Sequence, residues 1–215
     1  MKAARPRTRR HAGRGPDSAH SRRLWPFVLG GVILLAGVVY FGTSRGQQAN
    51  TGSADDPRIT LLAGQTAPDF SLPRVDGSGN WSPSSARGVS NVLLYFQEGS
   101  MCPPCWQQMR DLKRDRDKLE ALNVQLVTIT VDPIDLLKQT AAREQVADML
   151  LLADTNLAVS KTYQMLYTGM MNGTTPGHSF MLIDTQGKII WRRDFKEMYV
   201  PDPSILDPVA RALGK

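Results

Sequence analysis

The sequence contains little cysteine and little histidine. Cys102 and Cys105 are its only cysteines, and His178 is its only histidine beyond the basic amino-terminal tail. A structural zinc site usually needs about four ligands, and no second Cys-x-x-Cys pair is present to complete one. A disulfide across two intervening residues closes a tiny loop, so it removes little entropy from the unfolded chain. A structural metal site and a stabilising disulfide are therefore both poor explanations of this pair.

Beyond its first 23 residues the chain lacks an excess of positive charge. The net charge is +6, but residues 1–23 hold eight Lys and Arg against the single acid Asp17, which leaves 18 basic and 19 acidic residues in the remainder. Nucleic-acid binding depends on clustered positive charge on the folded surface. We therefore predict no nucleic-acid partner.

One long run lacks any charge. Residues 24–42 form an uncharged stretch of 19 residues, preceded directly by Arg22 and Arg23. A membrane-spanning helix needs about 20 apolar residues, and an excess of Lys and Arg on one side marks the cytoplasmic end. Trp25 and Tyr40 lie near the two ends of the run, where interfacial aromatic residues are expected. We predict a single-pass protein of the cell membrane with a cytoplasmic amino terminus.

A cleaved signal peptide is the alternative explanation of this run. Signal peptides have apolar cores of about 7–15 residues, which is shorter than residues 24–42, and no clear small-x-small cleavage site follows. Residues 43–58 are rich in Gly, Ser, Asn and Asp and are predicted to form a flexible linker. In both cases residues 59–215, the predicted folded domain, lie outside the cytoplasm.

The folded domain alternates strand and helix patterns. A turn-rich stretch at residues 64–80 predicts a short edge hairpin, since prolines flank Phe70 and Leu72. Strands that alternate with helices and end in a hairpin indicate an α/β fold with a mixed sheet covered on both faces. Asp132 is the predicted N-cap of the second helix, and the charged face of the first helix is interpreted as solvated. The predicted strands are 91–96, 124–131, 150–153, 179–184 and 188–193; the predicted helices are 106–122, one from Pro133 through Val146, 157–163 and 203–213.

The cysteine pair stands between the strand at 91–96 and the helix at 106–122. Cys102 would lie at the start of the helix, where free amide groups and the helix dipole stabilise a thiolate. Cys105, one turn later, is placed to attack a mixed disulfide formed at Cys102. Two inert core cysteines would need neither the intervening Pro103-Pro104 nor a helix directly behind them. The pattern favours a redox-active dithiol.

Three motifs resemble the thioredoxin-like superfamily. Together they are similar to membrane-anchored redoxins of the alkyl hydroperoxide reductase/thiol-specific antioxidant group and to the thiol-disulfide reductases of cytochrome maturation. The resemblance implies a three-layer α/β/α thioredoxin-like fold, thiol-disulfide oxidoreductase activity without a cofactor, and protein dithiol or disulfide partners. The expected placement outside the cytoplasm predicts a membrane-embedded electron donor, because no cytosolic thiol pool reduces the pair there. The motifs are Ala67-Pro68-Asp69-Phe70, the stretch from Tyr95 to Trp106, and Gly177 to Asp184 followed by Gly187-Lys188-Ile189.

The sequence departs from the peroxide-reducing members of this group. Those proteins carry Pro and Thr seven and three residues before the reactive cysteine, and an Arg three residues before the Phe of the last hairpin. Here the three positions hold Tyr95, Gly99 and Gly177. Thioredoxin-like reductases place a cis-proline at the last position, and Pro176 stands one residue before it. Thiol-disulfide exchange is therefore the first hypothesis, and hydroperoxide reduction as an antioxidant is the alternative.

Other residues are candidates for supporting roles. His178 would act as an acid or base, or as an imidazolium that lowers the pKa of Cys102, if it approaches the thiols. Glu98 and Gln97 would move protons to the buried thiol or cap the loop, and Trp106 would shield the site. A third, less favoured hypothesis is a copper chaperone in which His178 and both thiols bind the metal. Three methionines, Met165, Met170 and Met171, stand nearby in sequence.

Overall fold

The computed structural model describes residues 56–169 and 173–215. Within these residues no helix is long and apolar enough to cross a membrane. The predicted tail, the predicted span at 24–42 and most of the predicted linker fall outside the described residues.

A five-stranded mixed sheet forms the centre of the domain, with the strand order β5-β4-β3-β6-β7. Strands β3, β4 and β5 are parallel, while β6 runs antiparallel to β3 and β7 antiparallel to β6. A separate antiparallel hairpin is formed by β1 and β2. The strands are β1 Leu72–Pro73, β2 Asn80–Trp81, β3 Asn91–Phe96, β4 Val124–Thr130, β5 Leu151–Ala153, β6 His178–Ile183 and β7 Ile189–Phe195.

Helices and turns cover both faces of the sheet. On one face, α1, α2, α3 and α5 pack around Trp106, Leu119 and Ile205. On the other, the β1–β2 hairpin and α4 pack around Trp81, Val159 and the β3 side chains that point to this face, which are Val92, Leu94 and Phe96. The helices are α1 Pro103–Arg114, α2 Arg116–Ala121, α3 Ile134–Arg143, α4 Ala158–Thr162 and α5 Pro203–Ala212, with 3-10 turns at Pro83–Ala86 and Met165–Tyr167.

The layered α/β architecture with a mixed sheet agrees with the sequence prediction. The second layer contains the predicted short hairpin, 3-10 turns and the short helix expected near residues 157–163. Strand β3 explains why both layers are needed: its residues from Val92 to Phe96 are all buried, alternately toward one face and the other. A strand buried on both faces is a continuous apolar run, as this one is.

Two local predictions were wrong. The helix expected over 106–122 begins earlier, at Pro103, and is interrupted at Asp115, so it forms α1 and α2. Asp132 is not the N-cap of α3, because Pro133 occupies that position without a side-chain cap. The Asp132 carboxylate instead accepts a hydrogen bond from the Ser100 amide, 2.5 Å away. A long-range partner has displaced the local capping interaction.

The charged face of α1 is only partly solvated, contrary to the sequence interpretation. Asp111 is buried and accepts a hydrogen bond from the Tyr199 hydroxyl at 2.8 Å. Gln108 donates to Asp202 at 3.0 Å and accepts from the Val200 amide. These contacts fix the segment before α5 against α1, so the face supports the tertiary structure.

Candidate active site at the start of helix α1

The two cysteines lie at the junction of the loop after β3 and helix α1. Cys102 is the N-cap of α1 and Cys105 lies in its first turn, and the two are joined by a disulfide. The Cys105 amide points at the Cys102 sulfur, 3.3 Å away. Because the first amides of a helix lack carbonyl partners within it, they stabilise negative charge on a sulfur at this position. The predicted strand-to-helix placement of the pair is confirmed by this geometry.

The two sulfurs differ in their access to solvent. Cys102 is 4% exposed and Cys105 is fully buried. Next to Cys102, the side chain of Met101 is 91% exposed, and Pro103 and Pro104 are also exposed. A partner molecule therefore approaches Cys102 first, and Cys105 is left to act from inside the domain.

A hydrogen-bonded loop holds Cys102 in place. Gly99 adopts the left-handed φ of +105°, and its carbonyl accepts from the Cys102 amide at 3.1 Å and from the Trp106 indole at 3.0 Å. A Cβ at residue 99 would lie 2.1 Å from Oδ2 of Asp132. Glycine is required here on two counts, its φ and the close approach of Asp132. Trp106 is buried, and its predicted shielding of the site stays a prediction.

His178, at the start of β6, lies on the inner side of α1. Its Nδ1 is 3.0 Å from the hydroxyl of Tyr95, and that hydroxyl is 3.3 Å from the carbonyl oxygen of Cys105. All three residues are fully buried. Tyr95 therefore connects the sequence-predicted candidate to the backbone carbonyl of Cys105.

Burial determines the charge of His178. Desolvation lowers the pKa of its imidazole from 6.5 to about 4, so the ring is neutral at neutral pH. Burial thus disfavours an imidazolium at His178, and an effect of this ring on the pKa of Cys102 stays a prediction. A neutral imidazole retains an unprotonated nitrogen and is able to accept a proton.

Glu98 and Gln97 lie in the loop between β3 and the cysteines. Gln97 is fully buried, and its amide Nε2 lies 3.2 Å from the Met109 sulfur. The Oε1 atoms of Gln97 and Glu98 are buried without a hydrogen-bond partner among the described atoms. Burial raises the pKa of Tyr95 well above its ordinary value, and the charge of Glu98 raises it further. Glu98 thus acts electrostatically on the buried side of the site.

Several sequence candidates are not brought together. In the described ranges every peptide bond is trans, so Pro176 is not a cis-proline. The sulfur of Met165 lies 3.7 Å from a guanidinium nitrogen of Arg192, and Met170 and Met171 fall outside the described residues. No cluster of three or more His, Cys, Asp or Glu suited to a metal ion occurs in the described part of the chain. The copper hypothesis gains no support from these residues.

The sequence did not identify Tyr95 or Asp132 as parts of the site. Tyr95 stood in an apolar strand and was noted only because it replaces a proline of related proteins. Asp132 was assigned to a helix cap because it precedes Pro133. An isolated tyrosine hydroxyl in an otherwise apolar β3 is the signal that points to a buried polar partner.

The fold and the site together define a class of protein. A layered α/β domain that presents a Cys-x-x-Cys disulfide at the start of a helix is a thioredoxin-like thiol oxidoreductase. More specifically, the AhpC/TSA family matches residues 63–192, and the chain belongs to this family. Peroxiredoxin Bcp of Escherichia coli is 33% identical over 132 residues, which are 60% of this chain and 83% of the relative.

Solved structures share the fold of this chain. Peroxidoxin BcpB from Mycobacterium tuberculosis has a TM-score of 0.58 at 22% identity and covers 72% of this chain and 95% of its own. A putative thiol:disulfide interchange protein DsbE from Chlorobium tepidum has a TM-score of 0.58 at 25% identity and covers 72% of this chain and all of its own. The thioredoxin-like fold is thus shared with a peroxidoxin and with a putative thiol:disulfide interchange protein.

Proposed function

We propose that this protein is a membrane-anchored thiol-disulfide oxidoreductase that acts outside the cytoplasm on protein dithiols or disulfides. The observation that carries the proposal is the Cys102–Cys105 disulfide at the start of α1, in which Cys102 is 4% exposed between the exposed residues Met101 and Pro103 and Cys105 is fully buried. The position of Cys102 suits the attacking nucleophile, and the buried position of Cys105 suits the thiol that resolves the mixed disulfide.

The exchange proceeds in two steps. In the reduced protein the Cys102 thiolate attacks a partner disulfide, which forms a mixed disulfide and releases one partner thiol. Cys105 then loses its proton and attacks the Cys102 sulfur, which releases the second partner thiol and forms the Cys102–Cys105 disulfide. Two electrons pass from the dithiol to the partner. The buried His178 and the half-buried Glu98 are the candidate acid-base groups beside this site.

Two cysteine variants test the exchange. Cys102→Ser in the full-length chain is expected to abolish reduction of a protein disulfide such as that of insulin, because the attacking sulfur is removed. Cys105→Ser is expected to retain the first step and to accumulate mixed disulfides, visible as thiol-sensitive adducts on a non-reducing gel. Insulin reduction by Cys102→Ser at the wild-type rate would exclude the proposal.

The proposed location rests on the uncharged run at residues 24–42 and on the cations that precede it. Fusion of a phosphatase that is active only outside the cytoplasm tests it. The enzyme should be active when fused after Lys215 and inactive when fused before Met1. The reverse activities, or release of the domain from washed membranes, would contradict an anchored extracytoplasmic domain.

The proposed electron donor is embedded in the membrane, because an extracytoplasmic dithiol has no cytosolic thiol pool to reduce it. The reduction potential of the Cys102–Cys105 pair decides the direction of electron flow. A potential near that of thioredoxin, about −270 mV, supports a reductase. A potential near that of the strong oxidant DsbA, about −120 mV, would contradict it.

Reduction of hydroperoxides is the second candidate function, and the family membership and the similarity to peroxiredoxin Bcp favour it. Against it, Tyr95 and Gly99 stand where peroxide-reducing relatives carry Pro and Thr. A Thr at residue 99 would also collide with Asp132. Stopped-flow oxidation of the reduced protein by hydrogen peroxide distinguishes the two functions. A rate no greater than that of a free thiol would exclude the peroxidase.

A further inference from the structure

The hydroxyl of Tyr95 occupies a junction between α1 and β6. It is 3.3 Å from the Cys105 carbonyl oxygen and 3.0 Å from Nδ1 of His178. The Tyr95 ring stacks on Phe180 with centroids 4.4 Å apart and planes within 3° of parallel. With both the ring and the hydroxyl held, Tyr95 fixes the distance between the first turn of α1 and the imidazole.

We assign the histidine tautomer from the two contacts of this hydroxyl, 3.3 Å to the Cys105 carbonyl and 3.0 Å to Nδ1 of His178. A carbonyl oxygen only accepts hydrogen bonds, so the Tyr95 O–H donates to Cys105. The phenolic oxygen is then left to accept from His178, which requires the hydrogen on Nδ1. The Nε2 atom of His178 consequently carries a lone pair and no hydrogen. Among the described residues Nε2 is buried and has no hydrogen-bond partner.

Among the described groups that surround His178, none competes with its Nε2 atom as a neutral base. Gln97 lies one step beyond the last β3–β6 pair, Phe96 and Ser179, and its amide is not titratable at these pH values. Phe180 and Phe195 contact the imidazole edge-on, and the guanidinium of Arg193 lies over the outer ring, 5.5 Å from the centroid of Phe195. On the β3 side, Glu98 supplies a carboxylate that acts on Tyr95.

We propose that Tyr95 is a positioning residue that holds His178 beneath the first turn of α1, with Nε2 available to take the proton of the Cys105 thiol. This role rests on the proposed function, since it serves the second step of disulfide exchange. In that step the S–H bond of Cys105 breaks, its proton passes to Nε2 and its electron pair attacks the Cys102 sulfur. The Cys102–partner bond breaks, the partner leaves as a thiolate, and the imidazolium returns its proton to that thiolate or to solvent.

Two physical arguments support this assignment. A cysteine has an ordinary pKa of about 8.5, and burial in apolar surroundings raises it further, so Cys105 needs a proton acceptor at neutral pH. Burial keeps His178 neutral, so the acceptor is empty when the mixed disulfide forms. The resulting imidazolium and thiolate are opposite charges in a dry site, where each stabilises the other.

The test separates the two steps with a chromogenic aromatic disulfide, dithiobis-nitrobenzoate, mixed with the reduced full-length chain. Attack by Cys102 releases the first thionitrobenzoate, and resolution by Cys105 releases the second. Tyr95→Phe keeps the ring but removes the hydroxyl, and His178→Gln removes the base. Both variants are expected to slow the second release by about tenfold or more at neutral pH. The first release should change little.

The pH profile distinguishes proton transfer from a loss of structure. Without the acceptor, the second release should depend on the intrinsic ionisation of Cys105, so its half-maximal rate should move to higher pH in both variants. Tyr163→Phe is the matched control, because Tyr163 is also fully buried and donates to a backbone carbonyl, that of Pro68, on the opposite face of the sheet. This variant should retain both rates and the wild-type pH profile.

Three outcomes would overturn the role of Tyr95. The first is an unchanged rate of the second thionitrobenzoate release in Tyr95→Phe, and the second is equal slowing of both releases in that variant. The third is a pH profile of the second release that shifts in Glu98→Gln but not in Tyr95→Phe. If His178→Gln does not fold, the Tyr95→Phe profile still decides. Failure of the proposed function looks different, since wild-type protein would then release only the first thionitrobenzoate or leave insulin oxidised.

Discussion

At the scale of single residues, the loop before Cys102 depends on Gly99 and Asp132. The Asp132 carboxylate accepts from the Ser100 amide and occupies the space beside the Gly99 Cα, so the loop can close only when residue 99 has no side chain. The Gly99 carbonyl then receives the amide of Cys102 and the indole of Trp106. Two residues outside the cysteine motif thus place the attacking sulfur.

Gly99→Ala is expected to destabilise the protein, because its Cβ would displace Asp132 and its φ is strained for any L-residue. Forced overpacking of this kind typically costs about 1–3 kcal/mol. Gly64→Ala is the control, since Gly64 also has a positive φ, +93°, but open space around its Cβ. Urea unfolding of both variants measures the difference. An equal loss of stability would show that φ alone matters and that contact with Asp132 does not.

The same residues show why the site was only partly predictable. Cys102 and Cys105 were identified because their placement depends on local order, a strand followed by a helix. The partners of the site are distant in sequence: Tyr95 and His178 are 83 residues apart, and Ser100 and Asp132 are 32 apart. No local periodicity encodes such contacts. They arise only when the sheet brings β6 and the end of β4 next to β3.

At the scale of elements, α1 carries the chemistry at its start and structural support along its side. Asp111 accepts hydrogen bonds from Tyr199, Gln107 and Arg114 while almost fully buried. The charge pattern of 106–122 correctly predicted a surface helix, but it could not show that the segment before α5 covers part of the charged face. Amphipathic periodicity identifies the apolar face of a helix and is silent about polar contacts on the other face.

Asp111→Ala is expected to cost about 1–3 kcal/mol, because it removes a buried, charged acceptor of the hydrogen bonds from Tyr199, Gln107 and Arg114. Asp117→Ala, in the following helix α2, is the matched control. Asp117 is exposed, so its replacement should change stability by no more than about 0.5 kcal/mol. Thermal or denaturant unfolding of the two variants measures the contrast. Similar small effects would mean that the charged face is solvated after all.

At the scale of the whole domain, two buried groups give stability opposite dependences on pH. The pKa of His178 is lowered from 6.5 to about 4 by burial. The pKa of Asp202, which contacts α1 through Gln108, is raised from 3.8 to about 6 by burial first and then by the negative charges of Asp115 and Asp111. Both groups titrate over the same interval, so each hides the effect of the other.

The signs follow from which state binds more protons. As pH falls from about 6.5 to about 4, unfolded chains protonate His178 and folded ones do not, so His178 destabilises the fold by up to about 3 kcal/mol. Over a similar range the folded state protonates Asp202 before the unfolded state does, so Asp202 stabilises the fold on acidification. The wild-type free energy of unfolding should therefore change little across this interval.

Single variants should expose the two opposed slopes. His178→Gln removes the destabilising group, so its free energy of unfolding should rise as pH falls from about 6 to about 4. Asp202→Asn keeps the acceptor for Gln108 but removes the buried charge, so its free energy of unfolding should exceed that of wild type at neutral pH. Because His178 is still present, the free energy of unfolding of this variant should fall as pH falls from about 6.5 to about 4. Urea unfolding at a series of pH values measures all three proteins. Parallel curves of unfolding free energy against pH for wild type and both variants would contradict this dependence on His178 and Asp202. Curves of the two variants that diverge from wild type in opposite directions would show that these two side chains cause the opposed pH dependences.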